Sequence, residues 1–166
     1  MKLSVAVDQR WGIGRDNDLL FSIPEDMRMF RQRTGGKIVV MGRATLQSLP
    51  GGAPLKNRVN IVLSRDEGFA AEGAVICHSL AQLGEALAEA GGEVWVIGGD
   101  SVYRQLLEYC DEAYVTKVYA DGNADRFFPN IDEDESWVLK EQSEVKDHEG
   151  LRYRFCTYRN TKPKNL

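Results

Sequence analysis

Short apolar runs alternate with amphipathic segments along the first two thirds of the chain. Apolar residues recur at helical spacing after Ser79, which can cap a helix that Gly91 and Gly92 end. A shorter helix is predicted from Ser101 to Glu108. Five runs, most of them rich in valine and isoleucine, have the length of buried strands: Leu3 to Val7, Lys37 to Met41, Val59 to Leu63, Ala74 to Cys77 and Val94 to Ile97. This alternation is typical of parallel β-α-β units.

The pattern changes in the last third of the chain. A further strand is predicted from Ala113 to Val118, and two more, Trp137 to Ser143 and Leu151 to Tyr158, are joined by a polar turn over Val145 to Gly150. Those two predict an antiparallel hairpin. The sequence therefore predicts a single α/β domain over residues 1–166. It should have a mostly parallel, twisted sheet of about eight strands, four flanking helices, a C-terminal antiparallel hairpin and a frayed tail over Thr161 to Leu166.

Composition narrows the class of ligand. The chain has 166 residues, a length that fits one domain with a real core, and a formal net charge of −4. It has no cluster of lysine or arginine of the kind that follows a phosphate backbone, so we do not expect a nucleic acid partner. Its three cysteines and two histidines lack metal-ligand spacing, and no apolar run approaches membrane-spanning length. We expect a cytoplasmic protein with a small-molecule ligand, without a metal or a membrane partner.

The segment Leu19 to Phe30 places one carboxylate in apolar surroundings. Ser22 and Glu25 have the spacing of a capping box, and Pro24 suits a first helical turn. A helix is therefore predicted to begin here and to end at Thr34, before two glycines.

Asp26 lies in the first turn of that helix and shares a face with Phe30, beside an apolar stripe that includes Met27. One interpretation is that Asp26 faces water and favours the positive end of the helix dipole. The other is that Asp26 is buried and binds a ligand. A heterocycle with adjacent ring N–H and amino donors would then be a suitable complement.

Three predicted strands end in groups suited to phosphate. Gly98-Gly99 leads into a helix and lets a backbone approach a diphosphate closely. Arg43 with Thr45, and Ser64 with Arg65, place a guanidinium and a hydroxyl at two other strand ends. Each feature alone could be a tight turn or ordinary solvated surface, but together they favour a site for a nucleotide phosphate.

The segment Trp11 to Phe21 contains Gly12-Ile13-Gly14, which is not a dinucleotide fingerprint because Asn17 stands three positions after Gly14. Its glycines and polar residues predict a mobile loop that closes over a ligand and excludes water. A plain surface loop is the alternative.

With these pieces in place, the chain resembles the bacterial dihydrofolate reductases over nearly its whole length. The segments that carry the resemblance are Trp11 to Gly14, Leu19 to Phe30, Val40 to Arg43, Ile61 to Arg65, Val96 to Gly99 with Val102-Tyr103, and Phe128-Pro129. The resemblance implies that NADPH delivers hydride to C6 of dihydrofolate while a proton reaches N5, giving the tetrahydrofolate used in one-carbon metabolism. It also implies a monomer that binds diaminopyrimidine or pteridine antifolates.

The resemblance implies specific substrate residues. Asp26 would bind N3 and the 2-amino group of the pterin, supported by Thr116, with Leu19 and Phe21 as the further catalytic candidates. Because a carboxylate there cannot reach N5, the proton would come from water polarised in the site. Arg58 would bind the glutamate tail. The apolar lining would consist of Val5, Ala6, Leu19, Met27, Phe30, Leu49 and Leu55, although core packing explains Met27 and the leucines equally well.

The resemblance likewise implies a cofactor set, which binds NADPH. Within it, Arg43, Ser64 and Arg65 would hold the 2′-phosphate and so favour NADPH over NADH, and the Gly98-Gly99 bond would be cis. The set consists of Ala6, Ile13, Gly14, Asn17, Gly42, Arg43, Ala44, Thr45, Leu63, Ser64, Arg65, Ile97, Gly98, Gly99, Asp100, Ser101, Val102 and Tyr103.

The chain departs from the family pattern at two places. Leu20-Phe21 replaces a Pro-Trp pair, which removes an indole N–H that can hold a water, and Ala44 replaces a histidine near the diphosphate. Two other functions fit less well. A riboflavin-pathway pyrimidine reductase shares the fold but does not explain Asp26 with Phe30, Leu55 and Arg58, and a pterin- or nucleotide-binding sensor would not oxidise NADPH.

Overall fold

The computed structural model describes all 166 residues and contains four α-helices around a nine-stranded mixed sheet. The strands are β1 (Lys2–Val7), β2 (Gly12–Gly14), β3 (Ile38–Gly42), β4 (Val59–Leu63), β5 (Ala74–Cys77), β6 (Val94–Gly98), β7 (Glu112–Val118), β8 (Arg126–Phe127), β9 (Trp137–Gln142), β10 (Lys146–His148) and β11 (Leu151–Asn160). The helices are α1 (Pro24–Thr34), α2 (Arg43–Ser48), α3 (Leu80–Ala90) and α4 (Asp100–Leu106). No helix is both long enough and apolar enough to cross a bilayer.

The strand order of the main sheet is β10-β11-β7-β1-β6-β3-β4-β5, with β9 also paired to β11. All pairings from β7 to β5 are parallel, and β11 runs antiparallel to β7, β9 and β10. This confirms the predicted, mostly parallel sheet with antiparallel C-terminal strands. The predicted polar turn after Val145 was partly wrong, because Lys146–His148 is a strand and only Glu149 and Gly150, both at positive φ, form the turn.

Both faces of the central strands are buried. Alternate residues of β3 point to opposite sides, so Ile38 and Val40 join one core cluster while Val39 and Met41 join another with Trp95. Burial on both faces is the reason that these strands read as continuous apolar runs in the sequence. The sheet therefore has a packed apolar layer on each of its two faces.

Helix α1 begins and ends as predicted, but the predicted capping box is wrong. The residue before the helix is Ile23, which has extended backbone angles and no capping side chain, so Glu25 is the second helical residue. Its carboxylate instead accepts a hydrogen bond from the Tyr153 hydroxyl, 3.0 Å away, and lies 3.4 Å from Lys146 Nζ. Glu25 thus fixes the start of α1 against the C-terminal strands rather than capping its own backbone.

The other helices follow the sequence pattern closely. The Ser79 hydroxyl accepts the Gln82 backbone N–H at 3.1 Å, as expected for the cap of α3, and Gly91 ends that helix with φ +57°. Helix α4 starts one residue earlier than predicted, at Asp100, and continues past Leu106 as a 3-10 turn.

The segment Trp11 to Phe21 is more ordered than the predicted loop. Its first part forms β2, which pairs with β8, and Arg15 and Asp18 make an isolated bridge. The buried Asp8 carboxylate organises this region, because Oδ1 accepts the backbone N–H of Gly12 at 2.7 Å and Oδ2 accepts that of Gly122 at 3.0 Å. One carboxylate therefore joins the segment after β1 to the segment before β8.

The C-terminal residues 161–166 have no regular structure and are exposed. They are nevertheless attached, because the Lys164 backbone N–H donates to the Glu108 carbonyl at 2.9 Å and its ammonium lies 2.9 Å from the Glu108 carboxylate.

Asp8→Ala is expected to lower the free energy of unfolding by about 2–3 kcal/mol, because it leaves buried backbone donors without their charged acceptor. Chemical denaturation of the purified variant measures this difference. Glu141→Ala removes an exposed carboxylate of β9 and serves as the matched control. An equal effect in the two variants would contradict the structural role of Asp8.

Candidate functional site

A cleft of about 870 Å³ opens at the carboxyl ends of three adjacent strands, β6, β3 and β4. Because these strands are parallel neighbours, the three predicted phosphate-binding features lie next to one another along its wall. The opposite wall comes from the segment 13–19 and from α4. Every residue of the cofactor set lines this cleft.

The glycines after β6 keep the cleft wall free of side chains. The Gly98-Gly99 peptide bond is cis, and Gly98 has φ +127°. A Cβ atom at Gly98 would lie 3.4 Å from the Tyr103 ring and 3.5 Å from Thr45 Oγ1. The backbone here is open to the cleft in a conformation that other residues rarely adopt, so a ligand can approach it closely.

Arg43 is oriented by Asp66 and Phe69, two neighbours that no sequence pattern singled out. Its Nη1 donates to Asp66 Oδ2 at 3.0 Å, and its guanidinium lies 4.6 Å from the centre of the Phe69 ring. Arg65 is exposed beside it. Arg43 and Arg65 thus form a cationic end of the cleft. Arg43 is held in place there by its contacts with Asp66 and Phe69.

His78 was also missed by the sequence argument, which considered only three strand ends. It follows β5, the next parallel strand, and its Nδ1 lies 2.8 Å from the Ser64 carbonyl oxygen. Since a carbonyl only accepts, Nδ1 carries the proton. The position of His78 after a strand next to β4 is the signal that could have identified it.

The cleft fits a phosphorylated dinucleotide by its own chemistry. Cations and hydroxyls of Arg43, Ser64 and Arg65 lie toward one end, the open backbone of Gly98 lies in the wall, and apolar groups such as Ile13 line another part. Guanidinium groups and exposed backbone suit phosphate oxygens, and the apolar part suits an uncharged ring.

Hydrogen bonds anchor the loop that borders the cleft. Asn17 Nδ2 donates to the Ala44 carbonyl at 3.2 Å, across the mouth of the cleft. The Asp16 backbone N–H donates to Asp125 Oδ2 at 3.0 Å, and the Asp125 N–H donates to the Gly14 carbonyl at 2.9 Å. The loop is thus attached both to α2 and to the segment before β8.

Asp26 lies on α1, where its Oδ1 accepts a hydrogen bond from Thr116 Oγ1 at 2.6 Å. Thr116 is buried in β7, so the contact ties the helix to the sheet. Burial is the largest influence on the pKa of Asp26 and raises it, and the charge of Glu25 raises it slightly further. The Thr116 hydrogen bond and the charge of Arg33 lower the pKa. The net result is a pKa above the usual value of an aspartate. Of the two interpretations, the partly buried carboxylate is the one observed.

Several predicted substrate residues lie outside the cleft, around Asp26. Met27 is 39% exposed, and the Arg58 guanidinium lies 5.9 Å from the Phe30 ring centre. Arg58 Nε is buried without a hydrogen-bond partner, and burial together with the charge of Arg31 lowers its pKa. An exposed apolar surface beside an arginine with a free donor suits a ligand that is apolar along its length and anionic at its end.

The remaining predicted residues divide between ligand surface and core. Val5 and Ala6 line the cleft, and Leu19, which is 65% exposed, lies at its border. Leu49 and Leu55 pack against the core cluster around Trp95, whereas Phe21 packs against the small cluster of Ile23, Val118 and Tyr153. For the two leucines, a lining role and a packing role are therefore compatible.

Comparison with known proteins gives one consistent result. The family model described as dihydrofolate reductase matches residues 1–160. A dihydrofolate reductase of Mycobacterium leprae is 41% identical over 150 residues, which cover 88% of this chain and 89% of the relative. That of Bacillus subtilis is 34% identical over 154 residues, with coverages of 92% and 90%.

A solved structure agrees with these sequences. The structure described as dihydrofolate reductase from Enterococcus faecalis complexed with NADP(H) and RAB-propyl superposes with a TM-score of 0.85 at 30% identity. The superposition covers 96% of this chain and 95% of that one.

Thr116→Val is expected to raise the pKa of Asp26 further, by about one unit, because it removes a hydrogen bond that favours the ionised carboxylate. Valine matches threonine in shape, so the fold should persist. The pH titration of the Asp26 carboxyl carbon by NMR measures the shift. An unchanged titration midpoint in a folded variant would contradict the energetic importance of this hydrogen bond.

Proposed function

The chain belongs to the dihydrofolate reductase family, and from this premise we propose how its individual residues take part in the reaction. It catalyses the NADPH-dependent reduction of 7,8-dihydrofolate to 5,6,7,8-tetrahydrofolate. The observation that carries the assignment of residues is the part-buried Asp26–Thr116 pair beside a cleft that Arg43 and Arg65 line.

Asp26 is the proposed substrate anchor. The pterin ring presents N3–H and a 2-amino group side by side, and one carboxylate can accept hydrogen bonds from both donors. The Thr116 hydroxyl donates to Oδ1 of Asp26, which restricts rotation of the carboxylate. Partial burial strengthens the interaction, because fewer waters compete for the carboxylate oxygens.

The reaction needs a hydride and a proton. The nicotinamide of the bound cofactor supplies the hydride to C6 of the substrate. Asp26 binds the side of the ring away from N5, so the proton reaches N5 from a water polarised within the site, and the carboxylate acts through its charge. Phe21 offers no N–H to hold such a water. The orientation of the water therefore depends on Asp26 and on closure of the loop that contains Leu19.

Arg58 is the proposed partner of the glutamate tail. Its buried Nε has no partner within the protein, and its guanidinium lies against Phe30. A substrate carboxylate would satisfy that donor and hold the tail along the apolar surface of Met27, Phe30, Leu49 and Leu55. Such a pairing can be bidentate, which adds orientation to affinity.

The cofactor set is proposed to divide along the cleft. Ala6, Ile13, Gly14 and Asn17 frame the nicotinamide, and Gly98-Gly99 with Tyr103 closes over it and the diphosphate. Arg43, Ser64 and Arg65 hold the 2′-phosphate. The support is the position of each group in the cleft, together with the pairing of Arg43 with Asp66, which fixes the arginine without removing it from the cleft.

We also propose that diaminopyrimidine and pteridine antifolates bind at Asp26, since they carry an amino group next to a basic ring nitrogen that donates once it is protonated. We further propose that the chain acts as a single-domain monomer in the cytoplasm. The match of one family model to residues 1–160 and the burial of all three cysteines as free thiols support these proposals.

Asp26→Asn should keep the fold and the binding of NADPH but lose turnover by about 100-fold or more at neutral pH, because the charge that assists proton delivery is gone. The loss should be partly relieved at low pH, where the substrate arrives protonated. Steady-state oxidation of NADPH by dihydrofolate as a function of pH measures both effects.

Glu141→Gln, the same loss of a negative charge at an exposed carboxylate of β9, is the control and should keep the activity of the parent enzyme. Equal activity of Asp26→Asn and the parent enzyme at neutral pH would refute the role of Asp26.

Replacing Arg43 and Arg65 together by glutamine should raise the Kd of NADPH by about tenfold or more, since charge-assisted hydrogen bonds to a phosphate are removed. The Kd of NADH, which lacks that phosphate, should change much less. Fluorescence titration with both cofactors measures the difference, and Arg152→Gln on the exposed hairpin is the control. A similar loss for NADH would place the arginines elsewhere along the cofactor.

A further inference from the structure

Helix α1 carries a second charged residue on the face that holds Asp26. Arg33 follows Asp26 by seven positions, which returns to nearly the same side of an α-helix about 10 Å further along its axis. Side chains on a helix lean toward its N-terminus, so the Arg33 side chain leans in the direction of Asp26. Arg33 is neither one of the proposed substrate residues nor one of the cofactor residues.

Arg33 is half-buried and has no hydrogen bond or salt bridge to another side chain. Its guanidinium instead lies 4.7 Å from the centre of the Tyr114 ring and 6.0 Å from that of Phe155. Burying a guanidinium without a directly bonded carboxylate is unfavourable, since desolvation disfavours its charge. The Tyr114 ring offsets part of that cost, and a nearby negative charge would offset more of it.

Arg33 and Asp26 of α1 contact neighbouring positions of one strand, β7. Asp26 is hydrogen bonded to Thr116, and Arg33 lies on Tyr114, two residues earlier in β7. Residues two apart in a strand share a face and are separated by about 7 Å. Phe155 of β11 pairs directly with Thr116, so one small region of the sheet contacts both charges.

The two charges act on each other. Burial lowers the pKa of Arg33, and Asp26 is the carboxylate whose charge raises it again. In the reverse direction, the charge of Arg33 lowers the pKa of Asp26 against the larger effect of burial. Across partly buried, low-dielectric surroundings such a pair interacts more strongly than it would in water.

We propose that Arg33 is a positioning residue of this enzyme: held against Tyr114, it supplies the positive charge that keeps the neighbouring Asp26 carboxylate ionised in the ligand-free site. The carboxylate in turn stabilises the half-buried guanidinium. The inference rests on the role proposed for Asp26 only where it concerns turnover, because the ionisation of Asp26 can be measured without any substrate.

Other charged and titratable groups face the pair from each packed element. The charge of Glu25 on α1 raises the pKa of Asp26, and the charge of Asp26 in turn adds to the raised pKa of Tyr103 on α4 and of Tyr153 on β11. Burial raises the pKa of both tyrosines, so they stay neutral below about pH 9. Tyr114 faces Arg33, and its hydroxyl is 3.5 Å from Glu112 Oε1. The Glu25 carboxylate is held by Tyr153 and Lys146, so substitution of Arg33 removes none of these contacts.

The test is a pH titration of the Asp26 carboxyl carbon by NMR in ligand-free protein, with the resonance assigned by its loss in Asp26→Asn. Arg33→Met removes the charge and retains the bulk. Without the cation the ionised carboxylate is less stable, so the midpoint should rise by about 0.5–1 pH unit. Arg33→Lys restores the charge and should return the midpoint most of the way to that of the parent protein.

Arg31→Met is the matched control, because it makes the same change two residues away on an exposed part of α1. Its midpoint should stay within about 0.2 pH unit of the parent. Arg33→Gln provides a second neutral variant in case the methionine variant does not fold. A folded neutral variant with the parent midpoint, or an equal shift in Arg31→Met, would overturn the inference.

The pH dependence of kcat/KM for dihydrofolate separates this inference from the role of Asp26. If the carboxyl midpoint and the high-pH limb of the profile rise together in Arg33→Met, both are supported. If the midpoint rises and the profile does not move, Arg33 still sets the ionisation of Asp26, and the role of Asp26 in turnover is the proposal that fails. If the profile moves without the carboxyl midpoint, the inference on Arg33 fails.

Discussion

The parallel pairing of β1, β6, β3 and β4 is the constraint on which the site depends. Because these neighbouring strands are parallel, their carboxyl ends lie at the same edge of the sheet. The strands themselves are buried on both faces and apolar, so charged residues follow only where the strands end. The cleft and its cations follow from that edge. Although the whole chain carries a net charge of −4, Arg43 and Arg65 lie at this edge, where their guanidinium groups can pair with the phosphate of a ligand.

Most of the fold could be predicted from the sequence, because local patterns and burial agree. The run Val59 to Leu63 became a strand with those bounds, and Ser79 caps the helix that it was predicted to cap. The three phosphate-type strand ends could also be predicted to lie side by side, since a β-α-β order leaves few other arrangements. Helical spacing alone pointed to Asp26 beside Phe30 as a ligand site, whereas the roles of Arg58, Leu49 and Leu55 came from family resemblance.

The features that could not be predicted depend on contacts between distant parts of the chain. Strands β2 and β8 are three and two residues long and pair across more than a hundred positions, which leaves no local periodicity to detect. The capping box failed because Glu25 is held by Tyr153, a residue of the last strand. Nothing in the local pattern distinguishes Arg33 from Arg31, and only the packing of α1 on β7 separates them.

The last strand, β11, has a consequence for how the enzyme is made. It pairs with β7 along Glu112 to Val118, and its Tyr153 and Phe155 hold two residues of α1, an early helix. Because synthesis proceeds from the N-terminus, α1 emerges from the ribosome long before the strand that fixes it. A nascent chain that stops before Leu151 already contains every residue of the cofactor cleft, yet it leaves β7 as an open edge. The contacts that hold α1, the helix of Asp26, against β11 can therefore form only after the final strand has been synthesised.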